Sequence, residues 1–254
     1  MKSMAVDMIA VKSSIKVPPE SMETSTSKYE CPDCKDTLWL HLGGNNFKPC
    51  HCREVKQARK IIEKSGIAKA FASKTIRDYI PKNSTQEDAK YISIDYVKNF
   101  KEIVKERNNS IMFLGQPGSG KTHLTIAIAN ALLKAGIAVR YMQYREEITA
   151  IKQVINDEQD YSRLMNNWKN APVLLIDDLY KGIIRNGKAN ESELSIMFDL
   201  INHRYLAQKP VMVSSEFYLN QILDFDEATG TRISEMAKGR TIEFWGKELN
   251  HRMS

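Results

Sequence analysis

A glycine-rich octapeptide is the first stretch of the chain that could carry out chemistry. Residues 115–122 read GQPGSGKT; they follow the apolar run SIMFLG and open the stretch THLTIAIANALLK, which is typical of a helix. Glycines let the backbone turn so that successive N–H groups point at phosphate oxygens, and the start of a helix adds partial positive charge. The three glycines are Gly115, Gly118 and Gly120.

This pattern between a strand and a helix predicts a phosphate-binding loop that also includes Ser119. We expect Lys121 to reach the β- and γ-phosphates of a nucleotide and the Thr122 hydroxyl to coordinate Mg²⁺. A glycine-rich turn without a ligand is the alternative, and the flanking strand and helix disfavour it.

Two adjacent carboxylates end a later apolar run. Asp177 and Asp178 close the stretch VLLIDD. A carboxylate that leaves a buried strand beside a phosphate loop suits Mg²⁺, which prefers oxygen ligands, and this role falls to Asp177. Asp178 is the residue expected to orient or activate an attacking water. Many ATPases carry glutamate there, so the shorter side chain leaves the rate of hydrolysis open.

Two further segments carry polar residues that could contact phosphate. The strand KPVMVSSEF ends in Ser214 and Ser215, next to where the terminal phosphate would lie. In EATGTRISEM, Arg232 stands at the start of an expected helix and can contact a phosphate within one chain or across a subunit boundary. A surface ion pair with Glu235 is an equally good local explanation of Arg232.

The cysteines form a compact cluster in the sequence. All four lie within CPDCKDTLWLHLGGNNFKPCHC, as two close pairs separated by a Gly-Gly turn. This spacing predicts a structural Zn²⁺ site with four thiolate ligands, and His51 or His41 could replace one of them. Disulfides or unliganded thiols are the weaker alternatives. The four ligands are Cys31, Cys34, Cys50 and Cys52.

Composition places the chain among ordinary globular proteins. It has 254 residues, of which 42% are hydrophobic and 27% charged. It contains no apolar run of about 18 residues, the length needed to span a membrane, and no secretory leader. We therefore expect a cytoplasmic protein without membrane contact, in which cysteines stay reduced.

The positive charge is concentrated in one stretch. The net charge of the chain is +6, and between residues 48 and 74 eight basic residues stand against Glu54 and Glu63. A local basic stretch in an otherwise balanced chain indicates a polyanionic or acidic partner, or a solvated helix face. Lys181, Arg185 and Lys188 in KGIIRNGK are further candidates for contact with DNA, or part of a solvated loop.

The chain divides into three regions. Residues 1–28 read as a flexible arm, residues 29–66 as the zinc-binding module with a linker helix, and residues 67–254 as the catalytic core. In the core, the apolar runs IMFLG, IAVRYM, VLLID, VMVSS and TIEFW alternate with helical stretches. This alternation predicts a five-stranded, mostly parallel sheet with helices on both faces.

The motifs in this order resemble the DnaC/DnaI-type replicative helicase loaders of bacteria and phages, which belong to the AAA+ class. The resemblance covers residues 29–254 and rests on the cysteine module together with SGIAKAFASKTI, GQPGSGKTHL, VLLIDDLYKG, LINHRYLAQKPVMVSSE, DEATGTRISEM and LNHRM. It implies an αβα P-loop core of the ASCE type. Because the chain stops shortly after its last expected strand, a C-terminal lid is not expected.

The resemblance also implies a role for each matching residue. The roles are Walker A for Lys121 and Thr122, Walker B for Asp177 and Asp178, sensor 1 for Ser215 with Ser214 as the alternative, arginine finger for Arg232, and sensor 2 for Arg252. The finger is expected to act on ATP held by a neighbouring copy.

The function implied by the resemblance is ATP-dependent delivery of a hexameric DnaB-type helicase onto single-stranded DNA. It further implies self-assembly on the helicase, an initiator protein as a partner, and an ATPase that is slow and stimulated by partners. Two alternatives stay open: an IstB-like transposition helper ATPase, and an adaptor between helicase and initiator that binds ATP without hydrolysing it.

Overall fold

The computed structural model describes residues 29–64 and 73–246. The expected arm at residues 1–28, the expected domain boundary after residue 66 and Arg252 lie outside the described residues. Within the described ranges, no helix is both long and apolar enough to cross a bilayer.

A five-stranded sheet forms the centre of the core. Its strands are β3 (Ile111–Gly115), β4 (Val139–Gln143), β5 (Val173–Asp177), β8 (Val211–Ser215) and β9 (Thr241–Phe244). All neighbouring pairs are parallel and the order is β4-β5-β8-β3-β9. The predicted parallel sheet is thus confirmed, and each strand coincides with one of the five apolar runs.

Helices cover both faces of this sheet, as parallel strands require. One face carries α1 (Cys52–Lys64), α2 (Ser84–Ile103) and α3 (Lys121–Lys134). The other carries α4 (Tyr144–Gln153), α5 (Glu158–Lys169), α6 (Glu191–Leu206), α7 (Leu219–Phe225) and α8 (Glu227–Met236). The expected αβα architecture is therefore confirmed.

Strand residues alternate between two apolar clusters. In β3, Ile111 and Phe113 face the cluster shared with α2 and α3, whereas Met112 and Leu114 face the cluster shared with α6 and α8. All four side chains are buried, which explains why the run is apolar throughout and shows no polar alternation.

Short polar side chains fix the starts of four helices. In each case an Asx side chain accepts a hydrogen bond from a backbone N–H in the first turn, which satisfies a donor without an intrahelical partner. The capping residues are Asn83 for α2, Asp157 for α5, Asn190 for α6 and Asp226 for α8.

A small module precedes the core. Strands β1 (Trp39–Gly43) and β2 (Asn46–Pro49) form an antiparallel hairpin, and α1 follows directly. Val55 and Ala58 of α1 belong to the same apolar cluster as α3 and β4, so α1 joins the module to the core. A helix was predicted in this stretch, and α1 corresponds to it over the described residues.

A second hairpin lies where the sequence indicated only a loop. Strands β6 (Ile184–Arg185) and β7 (Lys188–Ala189) pair antiparallel across a turn at Asn186 and Gly187. Both turn residues have positive φ, 52° and 75°, the conformation that favours Asn-Gly in tight hairpins.

A buried arginine joins two loops at the edge of the core. Arg204 of α6 is fully buried, and its described hydrogen bonds all go to backbone carbonyls. The acceptors are Trp168 (2.9 Å), Lys169 (3.2 Å), Ala171 (2.9 Å) and Pro210 (2.7 Å). Burial lowers the pKa of the guanidinium to about 9, which leaves it protonated at neutral pH.

The Arg204→Met substitution should destabilise the core strongly. It would leave four carbonyl acceptors without their donor, and we expect a loss of about 3 kcal/mol in the free energy of unfolding. Arg204→Lys should be intermediate, because an ammonium has fewer and less fixed donors. Urea unfolding would measure both effects.

The matched control is Arg163→Met, which removes an arginine from exposed surface on α5. Its cost should stay below about 0.5 kcal/mol. Equal losses for Arg163→Met and Arg204→Met would show that the carbonyl contacts of Arg204 contribute nothing specific.

Candidate functional site

The loop between β3 and α3 has the backbone of a phosphate-binding loop. Gly115 and Gly120 have φ values of 94° and 95°, a region that L-residues rarely adopt. A β-carbon on Gly115 would overlap the ring of Tyr218, and one on Gly120 would overlap the ring of Tyr79. Glycine is therefore required at both positions for space as well as for conformation.

Two other predicted loop residues lie in the same turn. Gly118 also has a positive φ, 78°, and lines the cavity in front of the loop. Ser119 is fully buried, and its hydroxyl donates a 2.9 Å hydrogen bond to the Gln116 carbonyl. Ser119 thus braces the loop from within.

Lys121 lies at the start of α3 with its ammonium group inside the loop. Nζ donates to the carbonyls of Gly115 and Gln116, both at 2.7 Å. Burial lowers the pKa of Lys121 to about 8, and the nearby carboxylates of Glu216, Asp178 and Asp177 oppose that shift. The side chain is therefore still mainly protonated at pH 7 and can bind phosphate.

Asp177 accepts hydrogen bonds from three other elements. The Thr122 hydroxyl (2.9 Å) and the Ser214 hydroxyl (2.5 Å) donate to Oδ1, and the Tyr141 hydroxyl donates to Oδ2 at 3.1 Å. Burial, together with the neighbouring Asp178, raises the pKa of Asp177 above its usual value, although the three hydrogen bonds oppose this shift. The structure thus brings together Thr122 and Asp177, which were predicted from distant parts of the sequence.

The donor set fits a magnesium ion with a nucleotide. The Thr122 hydroxyl and the Asp177 carboxylate are adjacent oxygen groups, and Mg²⁺ typically combines one or two such groups with phosphate oxygens and water. The cavity in front of them measures about 490 Å³ and is lined by Gly118, Gly120, Lys121 and Thr122. These are the groups that would hold the phosphates.

The two serines at the end of β8 have different surroundings. Ser214 donates to Asp177 and accepts a 2.9 Å hydrogen bond from the Asp178 N–H. Ser215 instead donates to the Leu179 carbonyl at 2.7 Å and accepts from Phe217 N–H. The hydroxyl beside the acidic pair is therefore that of Ser214, while the Ser215 hydroxyl braces the turn after β5.

Asp178 has an ion-pair partner that the sequence did not indicate. Its Oδ2 lies 2.7 Å from Nζ of Lys181, which is also 3.3 Å from Oε1 of Glu216. All three residues line the cavity. The only sequence signal for Glu216 is its position directly after the two serines.

The segment at residues 74–82 covers the other side of the cavity. Tyr79 donates from its hydroxyl to the Ser119 carbonyl at 2.9 Å, and its ring packs edge-on against His123. Asp78, Ile80 and Lys82 line the cavity as well. Sequence reasoning missed this segment, because nothing in its residues indicates that the chain folds back over the loop.

Arg232 lies on α8 and does not line this cavity. Its Nε donates to Asn202 Oδ1 at 2.9 Å, and its guanidinium stacks over the Phe198 ring at 4.9 Å from the centroid. Glu235, the alternative partner, forms its described ion pair with Arg107 at 2.7 Å. As an arginine finger, Arg232 would therefore contact nucleotide held by a neighbouring copy, and this part of the prediction stays a prediction.

The four cysteine sulfurs converge in the N-terminal module. All lie within 4.8 Å of one another, with 3.7 Å between Cys31 and Cys50 and 3.4 Å between Cys34 and Cys52. Zn–S bonds of about 2.3 Å in a tetrahedron give sulfur separations of about 3.8 Å, so this donor set fits zinc. Each thiol is buried and free of disulfides.

The histidines that could replace a thiolate are placed differently. His41 is hydrogen-bonded through Nε2 to the Gly44 carbonyl at 2.7 Å, on the hairpin. His51 is exposed, but its Nδ1 lies 3.7 Å from Cys50 Sγ and 3.7 Å from Asp33 Oδ2. The complete set is therefore four thiols, and His51 is the only nearby histidine in the described chain.

Purified protein should contain about one zinc ion per chain. Cys31→Ser or Cys50→Ser should release it, and a chelator should unfold the module, because metal binding supplies much of the folding free energy of so small a unit. Elemental analysis and near-UV circular dichroism would measure both effects.

His41→Ala serves as the control and should retain the metal in full. Zinc loss in His51→Ala with retention in Cys50→Ser would mean that His51, not Cys50, is the ligand. Metal-free protein with an intact module would contradict the site altogether.

Comparison with known proteins shows the family of the chain. Residues 51–228 match the family described as IstB-like ATP binding protein. The phage-like element PBSX protein XkdC of Bacillus subtilis (strain 168) is 35% identical over 239 residues, which cover 91% of this chain and 89% of that protein. The replicative helicase loader DnaC of Buchnera aphidicola subsp. Baizongia pistaciae (strain Bp) is 28% identical over half of each chain.

A solved structure shows the same fold. The crystal structure of the DnaC helicase loader is similar with a TM-score of 0.58 and 23% identity, over 70% of this chain and 100% of that chain. Taken with the family match and the XkdC relative, this likeness identifies the fold seen here. The chain belongs to the IstB/DnaC-like family of AAA+ ATPases.

Proposed function

We propose that this protein is an ATP-dependent loader that binds a hexameric replicative helicase and delivers it onto single-stranded DNA when replication begins. The observation that carries the proposal is that Lys121 and Thr122 line one cavity and Thr122 is hydrogen-bonded to Asp177, in a chain similar to replicative helicase loaders. An initiator protein is the expected further partner.

The site residues divide the work of ATP hydrolysis. Lys121, which is hydrogen-bonded to the loop carbonyls, would bind the β- and γ-phosphates, and the paired Thr122 and Asp177 would hold the metal. Magnesium, when bound, neutralises phosphate charge and helps to orient the terminal phosphate for in-line attack. Asp178 accepts the proton of the attacking water as the bond between the γ-phosphorus and the bridging oxygen breaks and ADP leaves.

The N-terminal module is proposed to hold the helicase. Its hairpin exposes large apolar side chains: Trp39 is 44% exposed, Leu42 59% and Phe47 58%. A cluster of exposed apolar residues on a small metal-stabilised unit supports a protein-binding surface. The basic residues of α1 would add attraction to an acidic partner or to DNA.

Nucleotide-dependent self-assembly is the second part of the proposal. Arg232 would reach the phosphates of ATP held by the adjacent copy, because the cavity of its own chain lies elsewhere. Several copies would then form a ring or spiral on the helicase and release it after hydrolysis.

Two other functions each have one observation in their favour. The family match favours a transposition helper like IstB, which would act with a transposase, because the match covers residues 51–228 and omits Cys31, Cys34 and Cys50. The ion pair between Asp178 and Lys181 favours an adaptor that binds ATP without hydrolysing it, because the expected base is already engaged.

Size-exclusion chromatography with light scattering would test the loader function. The full chain, mixed with the host's hexameric helicase and ATP, should form a discrete complex that releases helicase onto single-stranded DNA. Lys121→Ala should lose the ATP dependence, because the phosphates lose their main cation. Cys31→Ser should lose the complex, because the module would no longer fold.

The failures of this experiment have separate meanings. No complex together with intact ATP hydrolysis would favour the transposition helper, which should then bind a transposase and duplex DNA. A complex without turnover above that of Lys121→Ala, with or without single-stranded DNA, would favour the adaptor.

Arg232→Ala should leave ATP binding within about twofold of wild type while turnover in the assembled state falls by on the order of 10³-fold. Equilibrium titration with ATP and steady-state hydrolysis measure the two quantities. Arg107→Ala is the control, since Arg107 also stacks on Tyr205 and lies close to the same surface.

A mixing experiment separates action in trans from local damage. Arg232→Ala subunits hold ATP, and Lys121→Ala subunits supply an intact Arg232, so a mixture should recover part of the lost turnover. Turnover that stays at the sum of the two single variants would contradict action across the subunit boundary.

A further inference from the structure

Lys181 joins the two carboxylates at the acidic end of the nucleotide cavity. Its ammonium nitrogen lies 2.7 Å from Asp178 Oδ2 and 3.3 Å from Glu216 Oε1. Asp178 follows β5 and Glu216 follows β8, which are hydrogen-bonded neighbours in the sheet. A single lysine therefore connects the ends of two adjacent strands across the cavity wall.

The position of this lysine is the end of the cavity where the terminal phosphate belongs. Lys181 lines the cavity together with Lys121 and Thr122, and Thr122 is bonded to Asp177. The segment at residues 74–82 contacts the loop through the hydrogen bond from Tyr79 to the Ser119 carbonyl. A nucleotide whose phosphates occupy the loop would thus place its terminal group beside Lys181.

The charges at this end require a cation when ATP binds. Asp178 and Glu216 are both acidic, and Lys181 is their described ion-pair partner. A terminal phosphate that approaches two carboxylates meets like-charge repulsion unless a cation stands between them. Lysine suits this task, because its three N–H donors on a flexible stem can change partners without moving the backbone.

We propose that Lys181 is a second phosphate-binding lysine, which exchanges the carboxylates of Asp178 and Glu216 for the terminal phosphate of a nucleoside triphosphate. This role rests on the proposed nucleotide site and adds to it a group that distinguishes ATP from ADP. The same exchange frees Asp178 to contact water only when a triphosphate is present.

In this proposal, Glu216 is the carboxylate that pairs with Lys181 before the exchange. The pair with Glu216 keeps Lys181 inside the cavity and directed at its wall. After the exchange, Glu216 lies close to the terminal phosphate, with Lys181 between them. Two simpler explanations compete: an ion pair that only fixes the turn after β5, and a brake that only holds Asp178 inactive.

Equilibrium binding of full-length protein to AMPPNP and to ADP, with magnesium and measured by isothermal titration calorimetry, would test the proposal. Lys181→Met should weaken AMPPNP binding by about tenfold, the effect of one charge-assisted contact, and ADP binding by less than about twofold. Lys181→Arg should keep most of the discrimination, because the charge is retained.

Two further variants sharpen the test. Glu216→Gln should strengthen AMPPNP binding by a few-fold. Lys181 then has only one ion pair to break, and the terminal phosphate meets one negative charge instead of two. Lys105→Met is the matched control: Lys105 pairs with Glu102 at 2.8 Å and has the same i,i+3 spacing as Lys181 and Asp178, but it lies outside the cavity. It should change neither affinity.

Each other outcome is decisive. Equal losses for AMPPNP and ADP, or no loss, would overturn the proposal and leave a structural ion pair. Unchanged binding with faster ATP hydrolysis in Lys181→Met would identify a brake. Failure of wild-type protein to bind either nucleotide would overturn the proposed function, and with it this role. Since half of the Lys181 side chain is exposed, the variants should fold, and thermal unfolding would verify this.

Discussion

The carboxylate of Asp177 is the contact on which the geometry of the site depends. It is almost fully buried, and donors reach it from α3, β4 and β8, so one group fixes the ends of three elements relative to β5. Burying a carboxylate is costly unless hydrogen bonds compensate for lost water. The three hydroxyl donors provide that compensation, and they also fix the position of the Asp177 carboxylate.

The strand order makes this contact possible. β5 lies between β4 and β8, and β8 lies beside β3, so the carboxyl ends of all four strands meet at one edge of the sheet. The phosphate loop leaves that edge from β3, and the acidic pair leaves it from β5. β8 lies between β5 and β3 and contributes Ser214, and the loop after β3 brings Thr122 across the end of β8 to Asp177.

The sequence predicted the sheet, and it singled out residues that the structure brings together at the candidate site, for a physical reason. Parallel strands covered on both faces are apolar throughout, and the five runs were therefore visible without an alignment. The loop could be recognised because glycine, lysine and threonine at fixed spacing have few other uses. The Asp177 position followed from its place at the end of a buried run.

The other features of the candidate site depend on side-chain directions and long-range contacts that the sequence does not specify. Ser214 and Ser215 are adjacent and chemically identical, and which of them faces Asp177 follows from the register of β8 against its neighbours. The segment at residues 74–82 makes its contacts with the loop across 40 positions of sequence, as between Tyr79 and Ser119. No local pattern encodes such contacts. The strands of the short hairpin after β5 have two residues each, too few for an alternation of apolar and polar residues to be recognised.

The close approach of Tyr79 to Gly120 has an evolutionary consequence. The aromatic ring occupies the space that a side chain at position 120 would need, while its hydroxyl holds the loop through Ser119. A smaller residue at position 79 would leave a gap beside the phosphates, and a larger one at position 120 would displace the ring. Because the positive φ at position 120 also requires glycine, position 120 is expected to stay glycine among descendants of this chain, and position 79 is expected to accept only rings that fill the same space.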